Sequence, residues 1–351
     1  MDWQLLRAEY DKQDYYNDLI KFPEHLVKAL EQMKDFNFNF KPNNIIVCGM
    51  GGSAIPGYLL KNYCRLKLSL PVDVANGYDL PAWVNSDTLV FIISYSGNTE
   101  ESLSCLKQSL DRGCKPVLIS SGGLLERAAV KHSLSFIKAP NQFQPRAATP
   151  YLFTYVLEVL RKSGLVNPDY DEAVSELKKL DLSIEQASNV KQLANQLVGK
   201  YVYVIVPEHL ESIGRRYVSQ DFNENAKTLA KYSVIPETNH NETTAWGECQ
   251  DLPLASIFLL DADASNSIKS RMSFSESICR DKGLVVKVES YGKSLLSKML
   301  TLIHQGDLIS YYLCLLRHKD PLPVPLVEQL KLVLNEQTNT KRELIKSLNL
   351  K

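Results

Sequence analysis

"DTLVFIISYSGNTEES", Asp87 to Ser102, holds the key to the fold. An apolar, β-branched run ends at Ile93. Three hydroxyls, Ser94, Ser96 and Thr99, then gather around Gly97, and Glu100 and Glu101 follow. The run reads as a buried strand and the acidic residues as the first turn of a helix. Asn98 is the expected N-cap, with Glu101 at the capping-box position. Three hydroxyls exceed what one cap needs. The free N–H groups and positive dipole end of a helix N-terminus favour an anion there. Capping alone remains the plainer alternative.

The same pattern repeats outward. "NNIIVCGM" (43–50), "PVDVANG" (71–77), "KPVLISS" (115–121) and "LSFIKAP" (134–140) are further short strands, with helix-like stretches between most of them. Strands alternating with helices imply a parallel sheet covered on both faces. Residues 150–197 are mostly helical, and their charge run reads as a solvated face. The alternation then restarts with "KYVYVIVP" (200–207), "KYSVIPE" (231–237), "LASIFLLD" (254–261) and "KGLVVKVES" (282–290). The expected class is α/β, with two such units and a helical tail. The expected blocks are 1–160, with N-terminal helices and the first unit, a helical linker 161–197, a second unit 198–320, and a tail 321–351. From Leu302 onward two helices are expected, broken at "DPLPVP".

A second strand end also carries chemistry. "CGMGGSAIPG", Cys48 to Gly57, crowds glycines where backbone can approach a ligand. Gly49, Gly51 and Ala54 fit G-x-G-x-x-A, and Asp73 lies where a dinucleotide fingerprint wants an acid. A tight strand-to-helix connection is the plainer reading. No G-x-x-x-x-G-K-[ST] occurs. In a doubly wound sheet ligands bind beyond the strand carboxyl ends, so the glycine and hydroxyl turns can face one crevice. A phosphate carried on a polar body, such as a sugar phosphate, suits that pair best.

The bulk numbers exclude other classes. The 351 residues suggest two domains of ordinary size or one large one, and are 44% hydrophobic. Forty basic and forty acidic residues cancel, which argues against nucleic-acid and membrane-surface partners. The seven cysteines (Cys48, Cys64, Cys105, Cys114, Cys249, Cys279, Cys314) are odd in number without CxxC, and read as buried thiols in a reducing compartment. The polar start "MDWQLLRAEYDKQD" is no signal peptide and no apolar run is long enough to span a membrane, so a cytoplasmic location is expected. The six histidines show no HxH or HExxH spacing, so no metal is expected. In the second unit, Glu224 lies in an asparagine-rich turn or helix start. His240 follows by sixteen residues, after a strand. A carboxylate and an imidazole are the groups that move protons near neutral pH.

"GMGGSA", "SYSGNTEE", "QPRAATPY", "NENAK" and "PETNHNE" together resemble the SIS (sugar isomerase) proteins, and more narrowly the bifunctional phosphoglucose/phosphomannose isomerases. The resemblance runs from about residue 25 to Lys331. It implies two flavodoxin-like SIS units, a homodimer with His240 reaching the neighbouring subunit's site, and no cofactor. It also implies substrate contacts at Gly51, Gly52 and Ser53 and phosphate contacts at Ser94, Ser96 and Thr99. Arg146 is expected beside C1 and C2 of the sugar, Glu224 as the base between those carbons, and His240 as the ring opener. A C-terminal lysine is implied at Lys331, with Lys319 as competitor. The implied activity is aldose–ketose isomerisation of glucose 6-phosphate and mannose 6-phosphate with fructose 6-phosphate. A non-catalytic sugar-phosphate binder, or an isomerase of an amino-sugar or pentose phosphate, is the alternative.

Overall fold

The computed structural model describes residues 1–180, 182–248 and 253–350. The chain forms two compact units, each interleaved in sequence. One comprises Glu24–Pro168 with Val324–Lys351, the other Met1–Pro23 with Asp169–Pro323.

The first unit carries strands β1 (Asn44–Cys48), β2 (Val72–Ala75), β3 (Thr88–Ile93), β4 (Val117–Ser120) and β5 (Phe136–Lys138). All pairings are parallel, in the order β2-β1-β3-β4-β5. Every residue of β3 is buried, which is why its sequence is a continuous apolar run and not an alternation. Strand order reverses between β1 and β3, where Asn44 pairs with Thr88 and Cys48 with Ile92. That register brings the two strand ends out at one level. The helices Ile55–Cys64, Glu100–Asp111 and Gly123–His132 make the crossovers, and Thr149–Lys162 is buried from Thr149 through Leu160. One face of the sheet packs Ile46, Val90, Ile92 and Leu118 against Leu103, Leu106 and Leu125. Leu348 and Leu350 enter the same core.

The second unit carries β6 (Tyr201–Pro207), β7 (Ala230–Ile235), β8 (Leu254–Leu260) and β9 (Leu284–Glu289), all parallel in the order β7-β6-β8-β9. This is the first sheet's order without its last strand. Beside the sheet runs a helix, Leu295–Leu316, buried on all sides from Leu296 to Leu315. Most of its positions are apolar, as burial requires, and its polar ones, Lys298, His304 and Asp307 among them, are buried with the rest.

Two expectations about the helices change. The stretch expected as a linker supplies Tyr170–Lys179 and Ser188–Gln196, which pack on Leu295–Leu316 as part of the second unit. Ala173, Leu177, Val190 and Ala194 are their buried residues, so the charged positions are the outer face of docked helices. From Leu302 onward three helical segments stand where two were expected, and Leu302 itself lies inside the first, Leu295–Leu316. Beyond the proline-rich break come Pro325–Gln337 and Thr340–Ser347. Cys48, Cys64, Cys105, Cys114, Cys279 and Cys314 are buried free thiols, and Cys249 lies outside the described residues. Among the described residues no helix is long and apolar enough to cross a membrane.

The long helix is capped by a carboxylate from outside it. Glu172 accepts from Lys293 N at 2.6 Å, Ser294 N at 2.9 Å and the Ser297 hydroxyl at 2.9 Å. Hydrogen bonds from Ser294, Lys293 and Ser297 hold its pKa down to about 2 against the ordinary 4.5. A depressed carboxylate stabilises the fold above its unfolded pKa, and that contribution disappears as pH falls toward the folded value. Glu172→Gln should therefore unfold at lower urea than wild type at pH 6, and the gap should narrow at pH 3. A gap independent of pH would contradict the capping role.

Candidate functional site

At the end of β1 the chain makes a 3-10 turn, Gly51–Ser53, before the helix Ile55–Cys64. A Cβ on Gly49 would stand 2.6 Å from Ser53 O, and Gly51 has φ +51°, so the turn demands glycine at both positions. Gly52 and Ser53 are buried within it. Ser53 Oγ accepts from Tyr95 N at 3.0 Å, which ties the glycine turn to the turn that leaves β3.

The second turn is built around Gly97. Its N–H donates to Ser94 O at 2.8 Å, its φ is +69°, and an added Cβ would fall 1.8 Å from Gly122 O. Ser94 Oγ donates to Thr99 Oγ1 at 2.9 Å and accepts from Thr99 N at 3.4 Å. Ser94 is 0% exposed. It therefore shapes the turn from inside and fixes Thr99, while Ser96 stands exposed and Thr99 half-buried. The helix that follows starts at Glu100 with Thr99 as N-cap, and no side-chain hydrogen bond caps it. Asn98, the cap expected from sequence, is used otherwise. Its Nδ2 donates to Ser96 O at 2.9 Å and its Oδ1 accepts from Leu124 N at 3.2 Å, bridging to the next strand end. The result is a helix N-terminus whose N–H groups are not met by a cap side chain, next to hydroxyls and glycine backbone. That combination receives anions.

Sequence reading missed two supports of this turn. "SSGG", Ser120–Gly123 after β4, backs it. The Ser121 hydroxyl and Ser121 N both donate to Tyr95 O, at 2.7 and 2.8 Å, and Leu125 N donates to Gly97 O at 3.0 Å. The glycine pair was the available signal. Tyr95 itself is the other. Its hydroxyl donates to Pro140 O at 2.6 Å and accepts from Phe143 N at 2.9 Å. The cradle is thereby joined to the segment that runs into Arg146. Arg146 is 1% exposed, and its carbonyl accepts from the Thr149 hydroxyl at 2.9 Å where the buried helix begins. Asp73, the acid of the dinucleotide reading, pairs with Lys61 at 2.8 Å on the surface.

Glu224 belongs to the second unit. It sits in the last turn of a π-helix, Tyr217–Asn225, and not in the open turn or helix start expected. π-helical segments are rare and are frequently found at functional sites. Asn225 beside it is buried, accepting from the Tyr15 hydroxyl at 3.1 Å and donating to Ser310 Oγ at 3.3 Å. Lys227 Nζ donates to Glu224 O at 2.6 Å and to Pro321 O at 2.9 Å. Under the π-helix, Arg216 pairs with Asp221 and, at 2.5 Å, with Asp307; their side chains are 0–2% exposed.

His240 is exposed and ends a 3-10 turn, Glu237–His240, beyond β7. Asn239 Nδ2 donates to Ser275 Oγ at 2.8 Å and the Thr238 hydroxyl to Val234 O at 2.9 Å, which anchors the turn. Ala230 N, the first residue of β7, donates to Asn223 Oδ1 at 3.1 Å, so Glu224 neighbours the start of β7 and His240 follows its end. Six strand residues span about 20 Å. Glu224 and His240 of one chain thus flank opposite ends of β7. Lys331 is exposed on Pro325–Gln337, a helix with no buried residue, and Lys319 is exposed beyond Leu295–Leu316. Neither position distinguishes them.

The glycine and hydroxyl turns and the Arg146 segment are therefore joined in the first unit. Glu224 and His240 stand at two ends of one strand in the second.

Comparisons with known proteins agree with this architecture. A family described as "Bacterial phospho-glucose isomerase C-terminal SIS domain" matches residues 186–334, and the SIS domain family matches residues 40–154. A bifunctional phosphoglucose/phosphomannose isomerase from Caldicellulosiruptor bescii is 35% identical over 333 residues, covering 90% of this chain and 97% of that one. A D-glucosamine-6-phosphate 4-epimerase from Sulfolobus acidocaldarius is 32% identical over 238 residues, covering 68% and 71%. The crystal structure of a hypothetical protein from Thermus thermophilus shares the fold, with TM-score 0.74 at 15% identity over 95% of this chain and 93% of that one.

Gly97→Ala tests the packing of the hydroxyl turn. The left-handed backbone alone costs about 1–2 kcal/mol with a side chain, and the contact with Gly122 adds to it. Urea unfolding should show a loss of at least about 1 kcal/mol. Unchanged stability would contradict the close approach of the two turns.

Proposed function

The chain belongs to the bifunctional phosphoglucose/phosphomannose isomerase family, and from that premise we propose that it interconverts glucose 6-phosphate and mannose 6-phosphate with fructose 6-phosphate. The observation that carries the reading is the joined pair of turns at the switch point of the first sheet, held by Tyr95 N on Ser53 Oγ. A phosphate seated there meets Ser53, Ser96 and Thr99 with the backbone of Gly51 and Gly52. Ser94 acts through Thr99. The phosphate supplies binding energy remote from the carbons that react.

The chemistry is proton transfer. His240 donates to the ring oxygen and opens the sugar, assisted by Lys331. Glu224 removes the C2 proton, leaving a cis-enediol(ate) whose negative charge Arg146 stabilises. Glu224 then returns the proton to C1. The C2 stereocentre is lost in the intermediate, so return to either face at C2 in the reverse direction yields the glucose or the mannose configuration. No step uses a metal or an organic cofactor. The separation of Glu224 from His240 along β7 supports a homodimer in which each site takes its histidine from the partner. Buried free thiols support a reducing, cytoplasmic setting.

The likeness to the 4-epimerase favours one second reading, an enzyme acting on another hexose phosphate such as an amino sugar. A coupled assay on fructose 6-phosphate in EDTA, reading glucose 6-phosphate and mannose 6-phosphate separately, decides. Both products should form. No turnover of fructose 6-phosphate, with turnover of glucosamine 6-phosphate, would favour the second reading instead.

Glu224→Gln should lower kcat by about 10²–10⁴-fold with substrate binding retained, the range for losing a positioned base. Near-normal kcat would remove Glu224 from that role. Ser96→Ala combined with Thr99→Ala should raise KM by about tenfold or more, since a hydrogen bond to a charged group contributes about 1.5–3 kcal/mol. An unchanged KM would place the phosphate elsewhere.

A further inference from the structure

The Arg216–Asp221–Asp307 cluster has no part in the chemistry just described, yet it is an expensive thing to bury. Arg216 closes the helix Glu211–Arg216, Asp221 lies in the π-helix that follows, and Asp307 comes from the helix Leu295–Leu316. The guanidinium reaches both carboxylates at once, with Nη1 on Asp221 and Nη2 on Asp307. Taking a guanidinium and the two carboxyl groups it meets out of water costs several kcal/mol, with burial and neighbouring Asp307 pushing the Asp221 carboxyl well above its usual range, and well-packed apolar residues of similar volume would commonly stabilise the fold as well or better. Stability alone does not account for the cluster.

Its place does. The π-helix is an irregular element in which i→i+5 bonding turns the side chains away from ordinary helical directions. Such a segment persists only where the surroundings hold it. Asp221 is its mid-point anchor and Glu224 follows by three residues. The long helix has Gly306 at this level, where a Cβ would stand 2.6 Å from Asp221 Oδ2 and 2.6 Å from the Tyr217 ring, so the two elements meet backbone to side chain. Just past Glu224, Asn225 is held by Tyr15 and by Ser310 of the long helix, and Lys227 Nζ donates to Glu224 O.

Given the reading of Glu224 as the base, we propose that Arg216, bridging Asp221 and Asp307, is the positioning residue that sets where the Glu224 carboxylate stands against the sugar. Burial opposes the charge on Arg216. Asp221, Asp307, Tyr15 and Glu224 hold it, and its pKa lies above the ordinary value. A lysine keeps the charge but not the planar fork that serves two carboxylates on two elements.

The test uses the full chain with glucose 6-phosphate carrying protium or deuterium at C2. Arg216→Lys should lower kcat at least thirtyfold, leave KM within threefold, and raise the deuterium isotope effect on kcat, because proton transfer from a misplaced base becomes the slow step. Asp307→Asn keeps the side-chain volume and an acceptor oxygen, and should change kcat at least tenfold in the same pattern; it decides the matter if Arg216→Lys fails to fold. Circular dichroism and the unfolding midpoint are recorded beside the kinetics. Folded variants with wild-type kcat and an unchanged isotope effect, in an enzyme that Glu224→Gln inactivates, overturn the positioning role alone. An active Glu224→Gln enzyme instead overturns the assignment of the base on which the role rests.

Discussion

One hydrogen bond, from Tyr95 N to Ser53 Oγ at 3.0 Å, makes a single feature out of two turns that leave adjacent strands. It depends on the parallel register that brings β1 and β3 out level, with Cys48 opposite Ile92. The glycines then let backbone crowd together, Gly49 over Ser53 and Gly97 against Gly122. Ser94, sealed inside, gives its hydroxyl to Thr99 and leaves the helix N-terminus facing outward uncapped. Each of these choices would be a local defect in a protein that needed only a stable turn. Together they leave backbone N–H groups and hydroxyls without a cap side chain, which is the arrangement the proposed phosphate site uses.

The second unit shows what the same topology does without that purpose. Its strands follow the same order about β6 and β8, yet the residues leaving β8 are Asp261 and Asp263 where those leaving β3 are Ser94 and Ser96. Burial works against a charge on Asp261, but His209 at 2.9 Å and Lys298 at 2.8 Å hold its carboxyl below the usual range. Lys298 also pairs with Asp263 at 2.7 Å. An internal ion cluster thus occupies the strand end, and a phosphate would meet carboxylates there. On the proposed reading the anion is held by the turns of the first unit and not by this strand end.

Much of this was legible in the residues. Buried parallel strands announce themselves as apolar β-branched runs, so each of the strands β1 to β9 overlaps a stretch that reads as a strand, and only β7 starts outside its stretch, one residue early at Ala230. The glycines and hydroxyls at strand ends were visible because their residue types answer local backbone demands. Asn98 misled because its fitness for capping is local, whereas its actual partners, Ser96 O and Leu124 N, depend on a third strand end. The linker reading failed for a similar reason: an amphipathic helix looks alike on a free connector and on a docked surface. The π-helix has no period that a 3.6-residue pattern would reveal, and the buried triad joins Arg216 to a residue ninety-one positions away. Such pairings follow from packing, which spacing along the chain does not encode.

A crystal structure with fructose 6-phosphate bound is the most direct measurement of the central claim. The account predicts the phosphoryl group between the Gly51–Ser53 turn and the Ser96–Thr99 turn, with C1 and C2 beside Glu224 and Arg146 and with His240 from the other subunit near the ring oxygen. A phosphate bound away from both turns, or a sugar whose first two carbons lie out of reach of Glu224, would contradict it.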